Sequence, residues 1–498
     1  MIRTSTLTAI FLVLAGATGA QEPVTLTLDQ AVALATENNP DYRAARNDVG
    51  VADWRVRSAY ADFIPSASVG GGLSYQGGGS ARIGGFTSGD IGLGETPSYY
   101  YSSFNASVGL TLSGSKVYEI GRQRASRRAV LANLDVAAQT LEANVTRQYL
   151  AVLRSEDAVD LAVAELERAE ANLALAEARQ AVESATSIEV KQAEVERGRA
   201  EVGLLQARTA LDNQRTRLSQ LLGVELDGDV TLTSDVAVFE PAWELRTLIE
   251  TALASQPELE AARATRQSAE SGVGMARSAY WPSLSISTGL SGYTRRVGDD
   301  EYLIEQAYSS ILSQRRQCAQ LNEIYTRLDP PIDPVNCFAQ YQLTPEMQDQ
   351  ILAQNRQFPF DFTTEPVSVS LSVSVPIFQG LNRQAQLESA HAAADDARLR
   401  VRAEELRIRA DVETAYRNLR SAYRSVQLEE RNRELADDQL RLARERYRVG
   451  AASFLELMEA EALKARADRE YLLGVYTFQE SLTTLEAAVG HDLATPDN

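Results

Sequence analysis

The sequence predicts a mainly α-helical, internally duplicated chain that also carries four two-faced β-strands of membrane-barrel type. Three observations support this fold class. The segment EPVSVSLSVSV, Glu365 to Val375, alternates hydrophobic with hydroxyl side chains throughout, which is the two-residue period of a strand with two different faces. Two proline-free runs, Ser98 to Glu240 and Ile377 to Thr495, carry apolar residues at helical spacing instead. Finally, the chain is written twice. A shift of 217 pairs Pro40 with Pro257, Ala44-Ala45-Arg46 with Ala261-Ala262-Arg263 and Pro65-Ser66 with Pro282-Ser283, and a shift of 267 pairs Tyr149 with Tyr416, Val182 with Val449, Glu189 with Glu456 and Gly223 with Gly490. Most of the extra length enters after Leu290, and a further seven residues enter between Ala385 and Val412. Seven residues are one heptad, which lengthens a helical seam without rotating its apolar face.

The first twenty residues read as a secretory signal. Arg3 is the positive end, Leu7 to Leu14 the apolar core and Ala15 to Ala20 the cleavage region, where both Ala17 and Ala20 satisfy the small-x-small rule. No cysteine lies near either site, so no amino-terminal lipid anchor is expected. Beyond the signal, no run approaches the roughly 18 apolar residues of a membrane-spanning helix. The 498-residue chain is 44% hydrophobic and 23% charged, the balance of an ordered protein. Its net charge of −19 excludes a nucleic-acid binder, which needs a basic surface to displace counterions from phosphates. Lysine occurs only at Lys116, Lys191 and Lys464, the other basic residues being arginine.

The first repeat, residues 21–242, opens with a helix from Leu28 to about Asp62, which Pro65 ends because proline disfavours helix at the residue before it. Strands follow at about 64–76 and 103–113. Ala67, Val69, Leu73 and Tyr75 share one face of the first, opposite Ser66, Ser68, Ser74 and Gln76. Phe104, Ala106, Val108, Leu110 and Leu112 form the apolar face of the second, opposite Ser103, Asn105, Ser107 and Thr111. A long helix over 116–182 then places Val152, Val159, Leu166 and Leu173 seven residues apart, the spacing of a coiled-coil seam. Such a helix is on the order of 100 Å long, more than a compact domain accommodates internally. A returning helix over 187–223 and a linker over 224–242 complete the repeat.

The second repeat, residues 243–498, has the same order. It comprises a helix at 243–280, strands at 282–293 and 366–376 around an enlarged polar loop at 294–365, a long helix at 381–449, a returning helix at 453–490 and a tail. On its long helix Leu428, Leu435 and Leu442 are heptad-spaced, while Val412, Ala415, Leu419, Ala422 and Val426 alternate steps of three and four. The only cysteines, Cys318 and Cys337, fall in the enlarged loop. In an oxidising compartment they fit a disulfide closing that loop, with two free thiols as the alternative.

A strand with one apolar face ordinarily covers a soluble core, but here the polar faces are serine, glycine and asparagine with hardly a charge. Valine toward lipid and serine toward a water-filled lumen give the period of an outer-membrane barrel strand. Aromatic residues gather at the strand ends: Phe63, Tyr99 to Tyr101, Tyr280, Trp281, Phe358, Phe360, Phe362 and Phe378. On this reading Val367, Val369, Leu371, Val373 and Val375 face outer-membrane lipid, and Ser368, Ser370, Ser372 and Ser374 face the lumen. Four strands do not close a barrel, since the smallest bacterial ones have eight and open edges are intolerable in lipid. Chains must therefore share one. A dimer supplies eight strands around a filled interior and a trimer twelve around a wider lumen, which suits a channel better.

This plan of helix, strand, loop, strand, long helix and returning helix, written twice and joined to RYRVGAASFLELMEAEA (Arg446 to Ala462) at a helical turn, resembles the TolC-type outer-membrane efflux proteins over nearly all of the mature chain. The resemblance implies a homotrimer with a twelve-stranded barrel on a periplasmic tunnel of twelve helical segments, linked through an equatorial region that includes 226–240 and the residues after Gly490. It implies a passive channel-tunnel of a Gram-negative outer membrane, with no cofactor. Its partners would be a periplasmic adaptor (membrane fusion) protein and an inner-membrane pump or ABC exporter, as in tripartite efflux or type I secretion.

The same resemblance assigns Val449, Gly450, Ala451, Ala452 and Ser453 to the turn at the periplasmic tip, where a glycine takes the positive φ that ends a helix. The first-copy equivalent, which begins Val182, Glu183, Ser184, lacks the glycine, so a different turn or weaker docking is expected there. Both tips match the family's contact with the adaptor hairpin. Glu456 and Glu459 match acidic positions that line the narrow entrance, where three chains would bring six carboxylates around one axis, repel like charge and attract cations. Two solvated helix-surface glutamates are the bland alternative. Tyr447 and Glu189 match positions that hold the closed state by hydrogen bonds between helices. Ala452 stands where some members carry arginine, which implies a weaker lock or one built from other groups.

An enzyme finds little support. The only histidines, His391 and His491, lie neither beside a nucleophile nor in metal-ligand spacing, so no metal site is expected. GGGLSYQGGG, Gly70 to Gly79, lacks the lysine and following helix of a phosphate-binding loop. The alternative from another class is a secreted coiled-coil scaffold without channel activity, which accounts for the heptads but not for the four alternating segments.

Overall fold

The computed structural model describes residues 25–80, 82–87, 90, 95–225, 231–233 and 236–493. The predicted signal and parts of the predicted linker and tail lie outside them. In chain order the first copy runs β1 (Thr25–Thr27), α1 (Leu28–Asn38), α2 (Pro40–Ala61), β2 (Ser66–Gln76), the two-residue strands β3 (Arg82–Ile83) and β4 (Phe86–Thr87), β5 (Tyr99–Leu112), α3 (Gly114–Ala181), α4 (Ser187–Leu222) and β6 (Thr231–Thr233). The second runs α5 (Leu245–Ser255), α6 (Pro257–Ser278), β7 (Ser283–Val297), α7 (Asp300–Tyr325), α8 (Cys337–Gln340), α9 (Pro345–Asn355), β8 (Thr363–Thr364), β9 (Ser368–Ser374), α10 (Asn382–Arg448) and α11 (Phe454–Val489). Two compact units result, a helical one of the residues up to Val56, Gly121–Val273 and Glu388 onward, and one bearing the long strands, Arg57–Ile120 with Gly274–Leu387. Among the described residues no helix is long and apolar enough to cross a membrane.

In the helical unit the duplication is visible as repeated bonds. The buried Tyr149 hydroxyl on α3 lies 2.6 Å from the Leu26 carbonyl and 2.9 Å from that of Thr233. The Tyr416 hydroxyl on α10 donates to the Trp243 carbonyl at 3.0 Å, and these positions correspond under the two sequence shifts. Matching cores surround them: Leu26, Ala31, Ala35, Val145, Val152, Leu218 and Leu222 in one copy, and Leu248, Ala252, Leu259, Val412, Leu419, Leu485 and Val489 in the other. Burial of each large member stabilises the unit by roughly 1.5–3 kcal/mol.

The opening helices differ from expectation. Sequence predicts one helix over 28–62 and one over 243–280, but each is broken, because Pro40 and Pro257 force the preceding Asn39 and Gln256 to ψ 124° and 120°. Asn39 makes the break a joint. Its Oδ1 accepts from the amides of Asp41 and Tyr42 at 3.0 and 3.1 Å, and its Nδ2 donates to the Leu221 carbonyl at the end of α4 at 2.9 Å. Gln256 likewise donates to the carbonyls of Ala487 and Ala488 near the end of α11. Next to that joint a Cβ on Gly223, which has φ 72°, would come within 2.5 Å of the Asn38 carbonyl oxygen, so conformation and space both require glycine. The parallel pair β1 and β6 was not expected; three residues per strand are too few for a period to appear.

In the other unit the four predicted strands form one antiparallel sheet in the order β2-β5-β7-β9. β8 also pairs with β7, and β3 pairs with β4, short strands that the count of four left out. The register keeps like with like. Val69 sits opposite Ala106, Ala106 opposite Leu290, Ile286 opposite Leu110 and Leu371. On the other face Ser68 bonds Ser107 at 2.8 Å, Ser287 bonds Ser370 at 2.6 Å and Thr111 bonds Ser285 at 3.1 Å. A slip of one residue would mix these faces along the whole sheet. Val369, Leu371 and Val373 lie in β9 with Val367 and Val375 just beyond its ends, and all five side chains are exposed. Among the described residues β2 pairs only with β5, and β9 only with β7.

The enlarged loop at 294–365 is not irregular. It folds as α7, α8 and α9, and Cys318 and Cys337 are joined by a disulfide with Cα atoms 5.8 Å apart. The buried Asn355 fastens it to the sheet, accepting from the Val297 amide at 2.7 Å and donating to the Val297 carbonyl at 2.9 Å. Polar composition hid these helices, but Asp299 and the Thr344-Pro345 pair are ordinary helix-start signals.

Candidate functional site: the two helical turns

The turn from α10 to α11 and the turn from α3 to α4 are the same structure. Gly450 has φ 75° and Glu183 has φ 57°. The Ala451 amide donates to the Arg446 carbonyl at 2.8 Å and the Ser184 amide to the Arg179 carbonyl at 2.8 Å, while the residues just before them, Gly450 and Glu183, donate to Tyr447 and Gln180 at 3.1 and 2.9 Å. This is the paired hydrogen-bond pattern of a Schellman ending. The expectation of a different first-copy turn is therefore wrong: Glu183 takes the left-handed conformation that glycine takes in the second copy, at a cost of roughly 1–2 kcal/mol for a residue with a Cβ.

The following helices start alike as well. Thr186 and Ser453 are the N-caps, and their hydroxyls accept from the amides of Glu189 at 3.3 Å and Glu456 at 3.2 Å. In the first copy the Glu189 carboxylate also accepts from the Thr186 amide at 3.3 Å, which completes a capping box. In the second copy the Glu456 carboxylate is exposed and stands 3.8 Å from the Arg446 guanidinium. Glu459, three residues on and on the same helix face, is exposed too.

Tyr447 joins the two turns. It is buried with Ala176, Ala193, Leu440, Phe454, Leu457 and Ala460, and its hydroxyl donates to Glu189 Oε2 at 3.4 Å. Burial pushes this phenol above its ordinary pKa, so it stays a donor. Sequence reasoning missed the residue that holds it. The Arg179 guanidinium lies 4.3 Å over the Tyr447 ring and donates to the Tyr447 carbonyl at 3.2 Å and the Ser184 carbonyl at 3.3 Å. The signal was present, because Arg179 corresponds to Arg446, which donates to the Ala451 carbonyl at 3.3 Å. Val182, Val449 and Ala451 are exposed and Ala452 is half-buried; the site therefore offers an apolar rim above a charged shoulder.

Among the described residues no cluster of histidine, cysteine and carboxylates could hold a metal ion. The model of the outer membrane efflux protein family matches residues 31–224 and 342–491. Among solved structures, CusC has a TM-score of 0.68 at 18% identity, covering 93% of this chain and 92% of that one. The open-state MtrE channel of Neisseria gonorrhoeae has a TM-score of 0.65 at 19% identity over 94% and 91% of the two chains. For the CmeC channel of Campylobacter jejuni the values are 0.67, 14%, 93% and 85%. A comparison with curated protein sequences finds no match.

Proposed function

The chain belongs to the outer membrane efflux protein family, and on that premise we propose that three copies close one twelve-stranded barrel and form a passive export conduit opened at the helical turns. The family places the protein in the Gram-negative outer membrane as a channel, which sets aside the coiled-coil scaffold. Its members work in trimeric tripartite systems with an adaptor and a pump. One observation carries a barrel shared between copies, namely a two-faced four-stranded sheet whose outer strands β2 and β9 lack a second neighbour among the described residues of the chain, and the family's trimeric systems set the number at three. In lipid each unmet backbone group costs several kcal/mol, and the missing neighbours are supplied when β9 of one copy meets β2 of the next.

With repeats 21–242 and 243–498 in each copy, the trimer presents six turns to a periplasmic adaptor (membrane fusion) protein. Val182, Glu183 and Ser184 form one docking edge and Val449 to Ser453 the other. Substrate passes from the inner-membrane pump or ABC exporter through the tip and out of the barrel, and the pump supplies the energy. Val367, Val369, Leu371, Val373 and Val375 meet lipid. Arg179, Tyr447 and Glu189 hold the closed tip, which gives a lock built without an arginine at Ala452. Glu456 and Glu459 from three copies make the entrance a ring of six carboxylates that concentrates cations.

The test is a planar-bilayer recording of the purified channel. Glu456→Ala combined with Glu459→Ala is expected to lower cation preference and relieve block by multivalent cations. Unchanged currents and ion preference would remove the acidic ring.

A further inference from the structure

The tyrosine run at the start of β5 is split by the register of the sheet. Tyr100 lies on the valine face, paired with Tyr75 and Arg296. Its ring is 4.8 Å from that of Tyr75 and 5.9 Å from that of Phe358, and Phe104 on the same face meets Phe362 at 4.9 Å. These rings make the aromatic belt expected where a barrel meets the membrane surface. Tyr99 and Tyr101 point the other way. Tyr101 is paired with Ser74 and Arg295, Tyr99 with Gln76 and Val297, and Tyr293 with Ser103. All three tyrosines therefore share the serine face, where a lipid belt does not account for them.

Arg295 stands among them. Its guanidinium lies 5.2 Å from the centre of the Tyr99 ring, the Tyr99 and Tyr101 rings are 5.8 Å apart, and Tyr302 at the start of α7 bonds Tyr99. Arg295 and Tyr293 are exposed, while Tyr99 and Tyr101 are half-buried. Among the described residues Arg295 is the only charged side chain on the serine face of the four long strands. The acidic residues that follow it are engaged elsewhere, since Asp299 accepts from the Glu301 amide at 2.9 Å and Asp300 from the Asn355 amide group at 2.8 Å. Glu365 accepts from the Ser291 hydroxyl at 2.7 Å, four residues or about 13 Å along β7 from Arg295.

From this we infer that Arg295 with Tyr99, Tyr101 and Tyr293 forms a binding site for planar aromatic anions, carboxylates or sulfonates, on the lumen wall at the strand ends away from the start of α3. The site names a cargo class for the conduit and rests on the channel reading above. A guanidinium offers an anion a planar fork of donors and is weakly hydrated. The Tyr99 ring beneath it holds the fork in place, and Tyr101 and Tyr293 supply ring surface and hydroxyls beside it. The surrounding serines carry no charge that would compete for the anion or repel it. In the wide lumen of a twelve-stranded barrel the copies form separate sites and not one constriction, so they retain cargo near the exit without filtering it. Glu456 and Glu459 at the helical turns favour the opposite sign, so a preference for anions does not arise there.

The test is saturation-transfer NMR of the full-length protein in lipid nanodiscs, with naphthalenesulfonate as the probe and empty nanodiscs as the blank. Binding above the blank is expected, and Arg295→Gln should weaken it by about tenfold through loss of one charged hydrogen-bonding partner. Arg295→Lys, which keeps the charge without the planar fork, should fall between the two. Arg296→Gln, one residue on and on the valine face, should leave probe binding as it was. Ethanesulfonate, an anion without a ring, and naphthylmethylammonium, a ring with the opposite charge, should both bind more weakly than the probe, a comparison that needs no variant. Signal equal to the blank, equal binding of ethanesulfonate, tighter binding of the ammonium, or equal losses in Arg295→Gln and Arg296→Gln overturns the site. Planar-bilayer currents from the same preparation keep the two readings apart: pores without probe binding remove the site alone, and a preparation that forms no pores overturns the channel on which it rests.

Discussion

Glu183→Gly should stiffen the first turn, and the size of the effect follows from the backbone. Glu183 is held at φ 57°, where a Cβ costs roughly 1–2 kcal/mol. Glycine removes that cost but gives back about 0.5–1 kcal/mol of unfolded-chain entropy, leaving a net gain of about 0.5–1 kcal/mol. Local opening of the turn is reported by the Glu183 and Ser184 amides, bonded to the carbonyls of Gln180 and Arg179 at 2.9 and 2.8 Å. A gain of that size slows their exchange by about two- to fivefold if they exchange through local opening. The assay is hydrogen-exchange mass spectrometry on peptides spanning the turn, with Gly450→Ala as the mirror experiment. There φ 75° should charge alanine about 1 kcal/mol and accelerate exchange to a similar degree. Slower exchange in neither variant, or faster exchange in Glu183→Gly, would refute the argument that the two turns share one backbone and differ in strain.

Further outcomes are expected elsewhere. Glu486 sits beside Glu142 and Asp492, and burial lifts its carboxyl to about 7 from the ordinary 4.5. The folded state therefore holds this proton more tightly, and stability falls as pH rises from about 4.5 to 7. Glu486→Gln should leave thermal unfolding near pH 4.5 little changed and stabilise at pH 8 by on the order of 2 kcal/mol, allowing for partial exposure; equal shifts at both pH values would contradict it. Cys337→Ser opens a loop closed across a sequence separation of 19, so the insertion should lose about 3 kcal/mol and become cleavable by trypsin at Arg315, Arg316 and Arg327 while the long helices resist. Arg179→Ala strips the cation from the Tyr447 ring and should loosen the closed tip by about 1–2 kcal/mol, read as a higher open probability in single-channel recordings; Gln180→Ala, which carries no comparable role, serves as the control.

What was legible in the sequence was whatever repeats. Period two gave the four long strands, because a register error would put valine on the serine face, and heptads gave α3 and α10 to within two residues of their observed ends. Pro65 and Pro282 were read correctly as helix ends, yet Pro40 and Pro257 obey the same rule and were passed over, since helical periodicity continues on both sides of each break. The insertion was hidden for the opposite reason, its helices being polar enough to pass for loop. At the site, Tyr447, Glu189, Glu456 and Glu459 are named only through the family resemblance, since local pattern alone reads the acidic pair as solvated helix surface. Arg179 has a signal in its correspondence to Arg446, but its contact with the Tyr447 ring, supplied from the other end of the chain, leaves no local trace.

The two turns also show how a duplicated backbone survives divergent side chains. In the second copy glycine takes the left-handed residue without strain, and Arg446 makes the equivalent bond to the Ala451 carbonyl while also standing near Glu456. In the first copy a glutamate is held in that conformation, and the strain must be offset locally. Arg179 is placed to do so: it donates to the Ser184 carbonyl, just past the strained residue, and is itself fixed by the Tyr447 ring and carbonyl. A hydrogen bond from a charged donor contributes about 1.5–3 kcal/mol, which covers the left-handed cost. Both turns carry this arginine bond, but only in the first does it serve a strained residue and a guanidinium fixed by an aromatic ring, so loss of Arg179 should disturb exchange at Ser184 more than loss of Arg446 disturbs it at Ala451.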